Sequence, residues 1–397
     1  MNAVLRLGRN QDRRLRAGHL WVYSHEVDVE ATPLKGFEPG QAVEVESAQG
    51  RWLGMAYVNP NSLICARLVT RQRGIALDGS LLVHRIKVAL SIRVRLFARP
   101  CDRLLVGEAD GTPGLVVDRF GDHLAVQITT AGMERLKDEA VAALIKVLQP
   151  AGILLRNDSG IRELEGLNRY VEVAHGAIPE QVTIEEGGCR FGLSLSEGQK
   201  TGWFYDQAAN REAFVSYVAG RRVLDVCSYI GAWSVRAAQA GATEVIAVDA
   251  SAQALDQLQQ NAALNRVEGR VSSLRGDAFQ VLRELRAARE HFDVVVLDPP
   301  AFIKRKKDLK EGTLAYRRLN ELALSLIERD GVLVTASCSF HMQGDQLLRT
   351  VQQSARHTDR SLQLLHQGQQ GPDHPIHPAI PETAYLKAFY LRVLPTL

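Results

Sequence analysis

The stretch Arg222–Asp249 most constrains the fold, because it reads as strand, turn, helix and strand in immediate succession. Val223-Leu224-Asp225-Val226-Cys227 is a short apolar run that ends in polar turn residues, as a buried parallel strand does. Ser228-Tyr229-Ile230-Gly231 makes the turn, and Ala232 to Ala240 carries helix-forming residues up to a stop at Gly241. Glu244 to Val248 then predicts a second strand with Asp249 at its C-terminal edge. Open α/β sheets bind ligands outside the carboxyl ends of their strands, near the point where strand order reverses. Asp249 follows the turn at the spacing with which a nucleotide-binding βαβ unit places an acid on ribose hydroxyls.

The turn is poor in glycine, and a dinucleotide site needs several glycines for its backbone to approach a pyrophosphate. Here Gly231 stands alone, and Cys227 and Tyr229 would crowd a diphosphate. An adenosyl cofactor without phosphate, S-adenosylmethionine, fits better; a βαβ unit that binds nothing is the bland alternative.

Downstream the pattern continues as regular α/β alternation, which predicts strands over 271–275, 292–297 and 331–336 and last strands over 362–365 and 385–393. Five strands then end in Asp225, Asp249, Asp277, Asp298 and Cys338 on one edge. In this reading Asp249 accepts from ribose hydroxyls, and Asp277 with the Ala278 amide meets the adenine amino edge. Asp225 and the turn residues Ser228, Tyr229 and Gly231 lie near the methionine portion. Each acid could instead cap a helix N-terminus, the commonest fate of Asp at a strand-to-helix turn.

Upstream, the loop Glu197–Gln207 combines glycines, aromatics and polar groups just before a helix. Such a loop can cap a flat, partly polar ligand, which makes Gln199, Thr201 and Phe204 candidate cofactor contacts; an interdomain turn is the alternative. Asp298-Pro299-Pro300 fixes two φ angles and removes two N–H donors, leaving carbonyls that project from an apolar strand. That suits a planar base, with Asp298 reading an amino group or ring N–H and Pro299, Pro300 and Phe302 beside it. From Lys304 to Arg318 there are seven basic side chains (Lys304, Arg305, Lys306, Lys307, Lys310, Arg317, Arg318) against two acidic ones. A phosphate backbone passing this site would meet them. Cys338, between two serines at a strand end, is a candidate nucleophile, since C5 of a pyrimidine becomes reactive only after a thiolate adds at C6.

The N-terminal part predicts a small β-rich module with a hairpin over 42–58. Arg6, Arg9, Arg13, Arg14 and Arg16 have only Asp12 among them in sequence, and Trp21 and Tyr23 follow. This suits RNA, in which guanidinium meets phosphate and rings stack on bases, or else a solvated face over a core tryptophan. A helix over 81–97 carries Arg85, Lys87, Arg93 and Arg95 and either flanks a nucleic-acid groove or connects domains. The five cysteines lack CxxC or His spacing, which argues against a zinc site or a disulfide framework and favours a reduced, cytoplasmic protein without a membrane span.

Residues 222–345 resemble a class I S-adenosylmethionine-dependent methyltransferase. The whole chain resembles the bacterial 23S rRNA cytosine-C5 methyltransferases that carry an N-terminal PUA domain. The matching stretches are 16–23, Lys200–Gln207, Val223–Gly231, Asp298–Phe302 and Ser337-Cys338-Ser339. The resemblance implies an α/β fold with a Rossmann-like, mostly parallel seven-stranded sheet. It also implies a PUA-like RNA-binding domain over 1–74, a central α+β domain with a β-hairpin over 75–190, and a catalytic domain over 191–397. S-adenosylmethionine as cofactor, Cys338 as nucleophile, Asp298 as base-binding acid, an RNA substrate and a homodimer follow from it as expectations. The second cysteine that other RNA cytosine-C5 enzymes carry beside the proline motif is missing here. Two alternatives remain at this point: methylation of a purine nitrogen with Cys338 as packing, and an RNA-binding assembly factor without catalysis.

Overall fold

Alternation of apolar and polar side chains builds the first sheet. In the computed structural model, which describes residues 3–396, β1 (Ala3–Arg6), β2 (Trp21–Tyr23), β3 (Gln41–Glu46), β4 (Trp52–Val58) and β5 (Ile64–Thr70) pair in the order β1-β3-β4-β5-β2. Val43 and Val45 turn into its core while Glu44 and Glu46 stay partly exposed, as period-two patterning requires. The N-terminal arginines are less free than their neighbours in sequence suggest. Arg14 forks onto Glu26 at 2.7 and 2.8 Å, Arg6 reaches Glu46 at 3.3 Å, and Arg16 pairs with Asp12 at 3.0 Å. The acids Glu26 and Glu46 come from elements distant in sequence, which a linear charge count does not register.

A second sheet follows: β6 (Cys101–Val106), β7 (Leu115–Phe120), β8 (His123–Ile128), β9 (Gly152–Asn157) and β10 (Tyr170–Gly176), in the order β10-β9-β8-β7-β6. The helices Gly79–Leu96 and Lys137–Leu148 share its core. Asp78 caps the first helix through Ser80 N and Leu81 N. Arg93, expected on a basic face, is instead 2% exposed and forms a bidentate pair with Asp110 at 2.8 Å. Of that helix's candidate nucleic-acid contacts, Lys87 and Arg95 remain exposed.

The hairpin β11 (Val182–Glu186) and β12 (Cys189–Leu193) precedes the largest sheet. That sheet comprises β13 (Arg222–Val226), β14 (Glu244–Asp249), β15 (Val271–Arg275), β16 (Phe292–Leu297), β17 (Ile327–Ser337), β18 (Arg360–Gln369) and β19 (Lys387–Pro395). Its order is β15-β14-β13-β16-β17-β19-β18, with β19 antiparallel to both neighbours and the strands from β15 to β17 parallel. Strand order reverses between β13 and β16, where a ligand crevice is expected. The helices Ala278–Ala287, Leu309–Leu326 and Gly344–His357 bury Leu282, Leu319 and Leu347 in one core with β16 and β17. The last strands run longer than their apolar cores suggest, because ladder pairing carries polar residues such as Gln367 and Gln369 along β19.

The chain divides into two units, each assembled from several segments. One consists of Met1–Val182, Ser194–Trp203 and Pro372–Thr383; the other of Thr183–Leu193, Phe204–Gly371 and Ala384–Leu397. Among the described residues no helix is long and apolar enough to cross a membrane.

Gly231 ends the turn after β13 at φ +88°, and a Cβ there would lie 2.7 Å from Leu258 Cγ. Both the left-handed backbone and the close approach exclude a side chain. Gly231→Ala should cost about 2–4 kcal/mol of stability in urea unfolding, from the φ penalty plus overpacking. An unchanged midpoint would show that the turn and the Ala252–Leu264 helix can shift apart freely.

Candidate active site

The turn after β13 is held in a strained form by its neighbour strand. Cys227 and Tyr229 adopt φ +65° and +50°, a conformation that costs non-glycine residues of order 1 kcal/mol or more. Cys227 N and Ser228 N both donate to Val248 O, at 2.8 and 3.0 Å. Asp249 accepts from Tyr229 N and from Ser251 N, each at 2.9 Å. Its carboxylate therefore fastens the turn to the end of β14 and keeps further lone pairs for a ligand. Phe204 sets its ring edge-on to Tyr229, with centroids 5.5 Å apart.

Asp225 does not stand at the strand edge as expected. It lies one residue inside β13 and is fully buried, with Ser234 Oγ donating to Oδ2 at 2.6 Å. Both faces of β13 are covered, since Leu224, Asp225 and Val226 are all 0% exposed. Burial, reinforced by the charges of Asp298 and Asp249, pushes its carboxyl up to about 7. Asp225 Oδ1 and Ser228 Oγ are buried without a hydrogen-bond partner. Asp277 caps the helix Ala278–Ala287 through Gln280 N at 3.1 Å, so the capping alternative describes its contact within the chain. Ala278 is the first residue of that helix.

Asp298 follows β16 directly and is gripped from two sides. Gln207 Nε2 donates to Oδ1 at 2.8 Å and Trp233 Nε1 donates to Oδ2 at 3.0 Å. Asn210 Nδ2 donates to Gln207 Oε1 at 2.6 Å, which fixes which end of the amide faces the acid. Burial pushes the Asp298 carboxyl up, a push that these two donors oppose. Pro299 is buried, Pro300 is exposed, and Phe302 packs on Tyr316 with centroids 4.8 Å apart.

Cys338 sits one residue past β17, partly exposed, on the strand next to β16. Tyr316 braces the serines on both sides of it. Ser337 Oγ donates to the Tyr316 hydroxyl at 2.8 Å, and that hydroxyl lies 3.1 Å from Ser339 Oγ. Ile303 N donates to Ser339 Oγ at 3.2 Å, tying the loop after the prolines to the thiol's neighbour. Lys304, Arg305, Lys306 and Lys307 are all exposed, and Arg305 pairs with Asp308 at 3.2 Å.

The structure brings together Phe204, Ser228, Tyr229, Gly231, Asp249, Asp298 and Cys338 in one unit, around the carboxyl ends of its sheet. Gln199 and Thr201 belong to the other unit. Gln199 is exposed, and the buried Thr201 hydroxyl donates to Asp118, which also pairs with Arg103. Sequence reasoning missed Gln207, Trp233 and Tyr316 as positioning residues. Gln207 lay inside the loop already singled out, and Trp233 two residues beyond Gly231; nothing in sequence marked Tyr316.

The donor set fits S-adenosylmethionine. The buried unpartnered atoms on Asp225 and Ser228 are ready for a polar ligand. The carboxylates of Asp298 and Asp249, whose charges raise the proton affinity of Asp225, suit a cationic sulfonium. No glycine-rich turn is available for a pyrophosphate. A profile of S-adenosylmethionine-dependent methyltransferases matches residues 168–392, and one of PUA-like domains matches residues 5–71. The chain is 35% identical over 400 residues to the ribosomal RNA large subunit methyltransferase I of Aliivibrio fischeri strain MJ11, spanning 99% of this chain and 100% of that one.

The chain belongs to the S-adenosylmethionine-dependent methyltransferases.

The same-named protein of Aeromonas salmonicida is 36% identical to this methyltransferase over 398 residues, with 99% and 100% coverage. The crystal structure of SMU.776, assigned as a methyltransferase and complexed with SAH, superposes at TM-score 0.84 with 21% identity, covering 98% and 100% of the two chains. That likeness establishes the shared α/β fold.

Asp225 gives the methyltransferase a pH signature. Its folded-state pKa lies above the unfolded value, so its contribution to stability is full at low pH and disappears as pH rises through about 7. Between pH 5 and 8 the wild type should lose about 2–3 kcal/mol relative to Asp225→Asn, read as urea midpoints of the cofactor-free enzyme. Parallel pH profiles for the two proteins would mean that Asp225 is ionised throughout.

Proposed function

We propose that this methyltransferase modifies C5 of a cytosine in large-subunit ribosomal RNA, with Cys338 as nucleophile. The observation that carries this reading is the pairing of a thiol and a tethered carboxylate on adjacent strand ends, Cys338 after β17 and Asp298 after β16. The matched relatives are named as large-subunit ribosomal RNA methyltransferases, which supports ribosomal RNA as substrate. The PUA-like match over 5–71 supports an RNA-binding role for 1–74, with a central domain over 75–190 and catalysis from 191 onward.

In this reading Asp249 holds the ribose, Asp277 and the Ala278 amide meet the adenine edge, and Ser228, Tyr229 and Gly231 line the methionine portion. Phe204 and Pro299 close over the cofactor; Gln199 and Thr201 are assigned to it on their loop's composition alone. S-adenosylmethionine supplies an electrophilic methyl group when bound. Asp298, its two oxygens each already accepting one hydrogen bond, has lone pairs left for the cytosine amino group. Pro300 and Phe302 flank the base, which must leave its stack to be reached. The Cys338 thiolate adds at C6 and pushes electron density to C5, which then takes the methyl group. Loss of the C5 proton restores the C5–C6 double bond and expels the thiolate.

Cys338→Ala should abolish turnover, a larger loss than the ~10²–10⁴-fold typical of removing an acid–base group, while leaving S-adenosylmethionine binding intact. With RNA containing 5-fluorocytosine, fluorine cannot leave as a proton does, so the wild type should stall as a denaturant-stable adduct and the Ala variant should form none. An active Cys338→Ala enzyme would sink the C5 reading in favour of nitrogen methylation.

The exposed cluster Lys304, Arg305, Lys306 and Lys307 is assigned to the RNA backbone. Replacing all four with Ala should weaken RNA binding and reduce its salt dependence by up to ~0.7 in log–log slope for each phosphate no longer neutralised. A slope that stays put in filter binding would make the loop a solvated turn only.

A further inference from the structure

Lys387 opens β19 directly opposite Ser337, the residue before the proposed nucleophile. Its Nζ donates to Ser339 O at 2.7 Å and to Tyr385 O at 2.9 Å. The ammonium is thus hydrogen-bonded to the residue that follows Cys338. No carboxylate pairs with it among the described residues, which is unusual, because a recessed cation without an anion is costly. Asp345 is taken by Arg349 at 3.0 Å; it lies on the helix Gly344–His357, where a Cβ added at Gly344 would come 3.6 Å from Lys387 Cγ. β18 offers the uncharged Gln369, and the helix Leu309–Leu326 offers the neutral phenol of Tyr316. Among the described residues, the ionisable group whose charge acts on Lys387 is the Cys338 thiol.

We infer that Lys387 holds Cys338 as a thiolate, its amine taking the thiol proton to form a half-buried ammonium–thiolate pair. The step is balanced within the pair: the S–H bond breaks, an N–H bond forms, and the sulfur keeps the electron pair with which it attacks. A neutral amine has two N–H groups and one lone pair. The two carbonyls take the N–H groups, which leaves the lone pair for the thiol. Burial pushes Lys387 down to about 8, close to an ordinary thiol, so the proton can pass between them near neutrality.

A second thiol in the same unit shows what the pair adds. Cys227 also lies at a strand end, but its charged neighbours are Asp249, Asp298, Asp225 and Asp277, and burial together with these charges pushes it far up, to where it stays protonated. Electrostatics thus separates two cysteines on one sheet edge, one beside acids and one beside a lysine. Lys387 acts through Cys338 and is a positioning residue. The inference rests on the cytosine reading only for what the thiolate attacks.

Iodoacetamide alkylation of the full-length enzyme, followed by peptide mass mapping over roughly pH 6–10, tests the pair without RNA. Wild-type Cys338 should titrate about one unit or more below the ordinary ~8.5 of a free thiol, while Cys227 in the same digest stays unreactive near neutrality. Lys387→Met should raise the Cys338 midpoint by about one unit and slow its alkylation at neutral pH about tenfold. Lys387→Arg, which keeps the charge, should restore most of the shift. Coincident profiles for wild type and Lys387→Met would overturn the inference. So would a wild-type midpoint at or above ~8.5, a result that needs no folded variant. A lowered, Lys387-dependent midpoint in an enzyme that gives no 5-fluorocytosine adduct would uphold the pair and remove the cytosine reading instead.

Discussion

A strand buried on both faces can carry polar chemistry only at its ends, and the catalytic unit follows from that constraint. β16 is apolar and buried from Val294 through Leu297, so its first functional side chain is Asp298, the residue after the last ladder pair. β17 repeats this, with Ala336 and Ser337 buried and Cys338 just beyond. Because these two strands are neighbours, the packing requirement alone sets a carboxylate beside a thiol. The helices and the turns that lead into them then supply what the strand ends lack: Trp233 and Gln207 orient the acid, and Tyr316 anchors the serines around the cysteine.

The edge is also sorted by charge. On the side of β13 and β14, the charges of Asp298 and Asp249 raise the proton affinity of the buried Asp225, an arrangement that is costly in isolation and suited to a cation. On the side of β17 and β19 the unpaired charge is a lysine, suited to an anion. The methyl donor carries positive charge, and the nucleophile must carry negative charge at the moment of attack. In the proposed cytosine reaction, one sheet edge thus presents opposite fields to the methyl donor and to the Cys338 nucleophile, separated by the strand that bears Asp298.

The sheet was legible in the sequence because apolar runs, turn residues and alternation with helices all agree from Val223 to Ala336. The polar residues at or just beyond the strand ends, Asp249, Asp277, Asp298 and Cys338, were legible for the same reason. Their roles were less so. Asp225 lies one residue inside β13, fully buried and held by Ser234, an environment that the strand pattern did not announce. The arginines near the N-terminus seemed unopposed because Glu26 and Glu46 reach them only after folding. Arg93 carried no sign of its burial, since its partner Asp110 lies on a different element. Lys387 was invisible for a similar reason: strand pairing, not sequence spacing, brings it to a cysteine far earlier in the chain.

The path of the chain has a consequence for how the protein can be made. Ser194–Trp203 and Pro372–Thr383 leave the catalytic unit to complete the other one, where Arg103 N donates to Asp373 Oδ2 at 3.0 Å and Arg93 to Asp373 O at 3.0 Å. Synthesis runs from the N-terminus, so the unit that begins first lacks its closing piece until Pro372–Thr383 has emerged. Neither unit is a contiguous stretch that could be excised, fused or exchanged as a cassette. Their interleaved connectivity means that a crossover anywhere between Thr183 and Thr383 would divide both units at once.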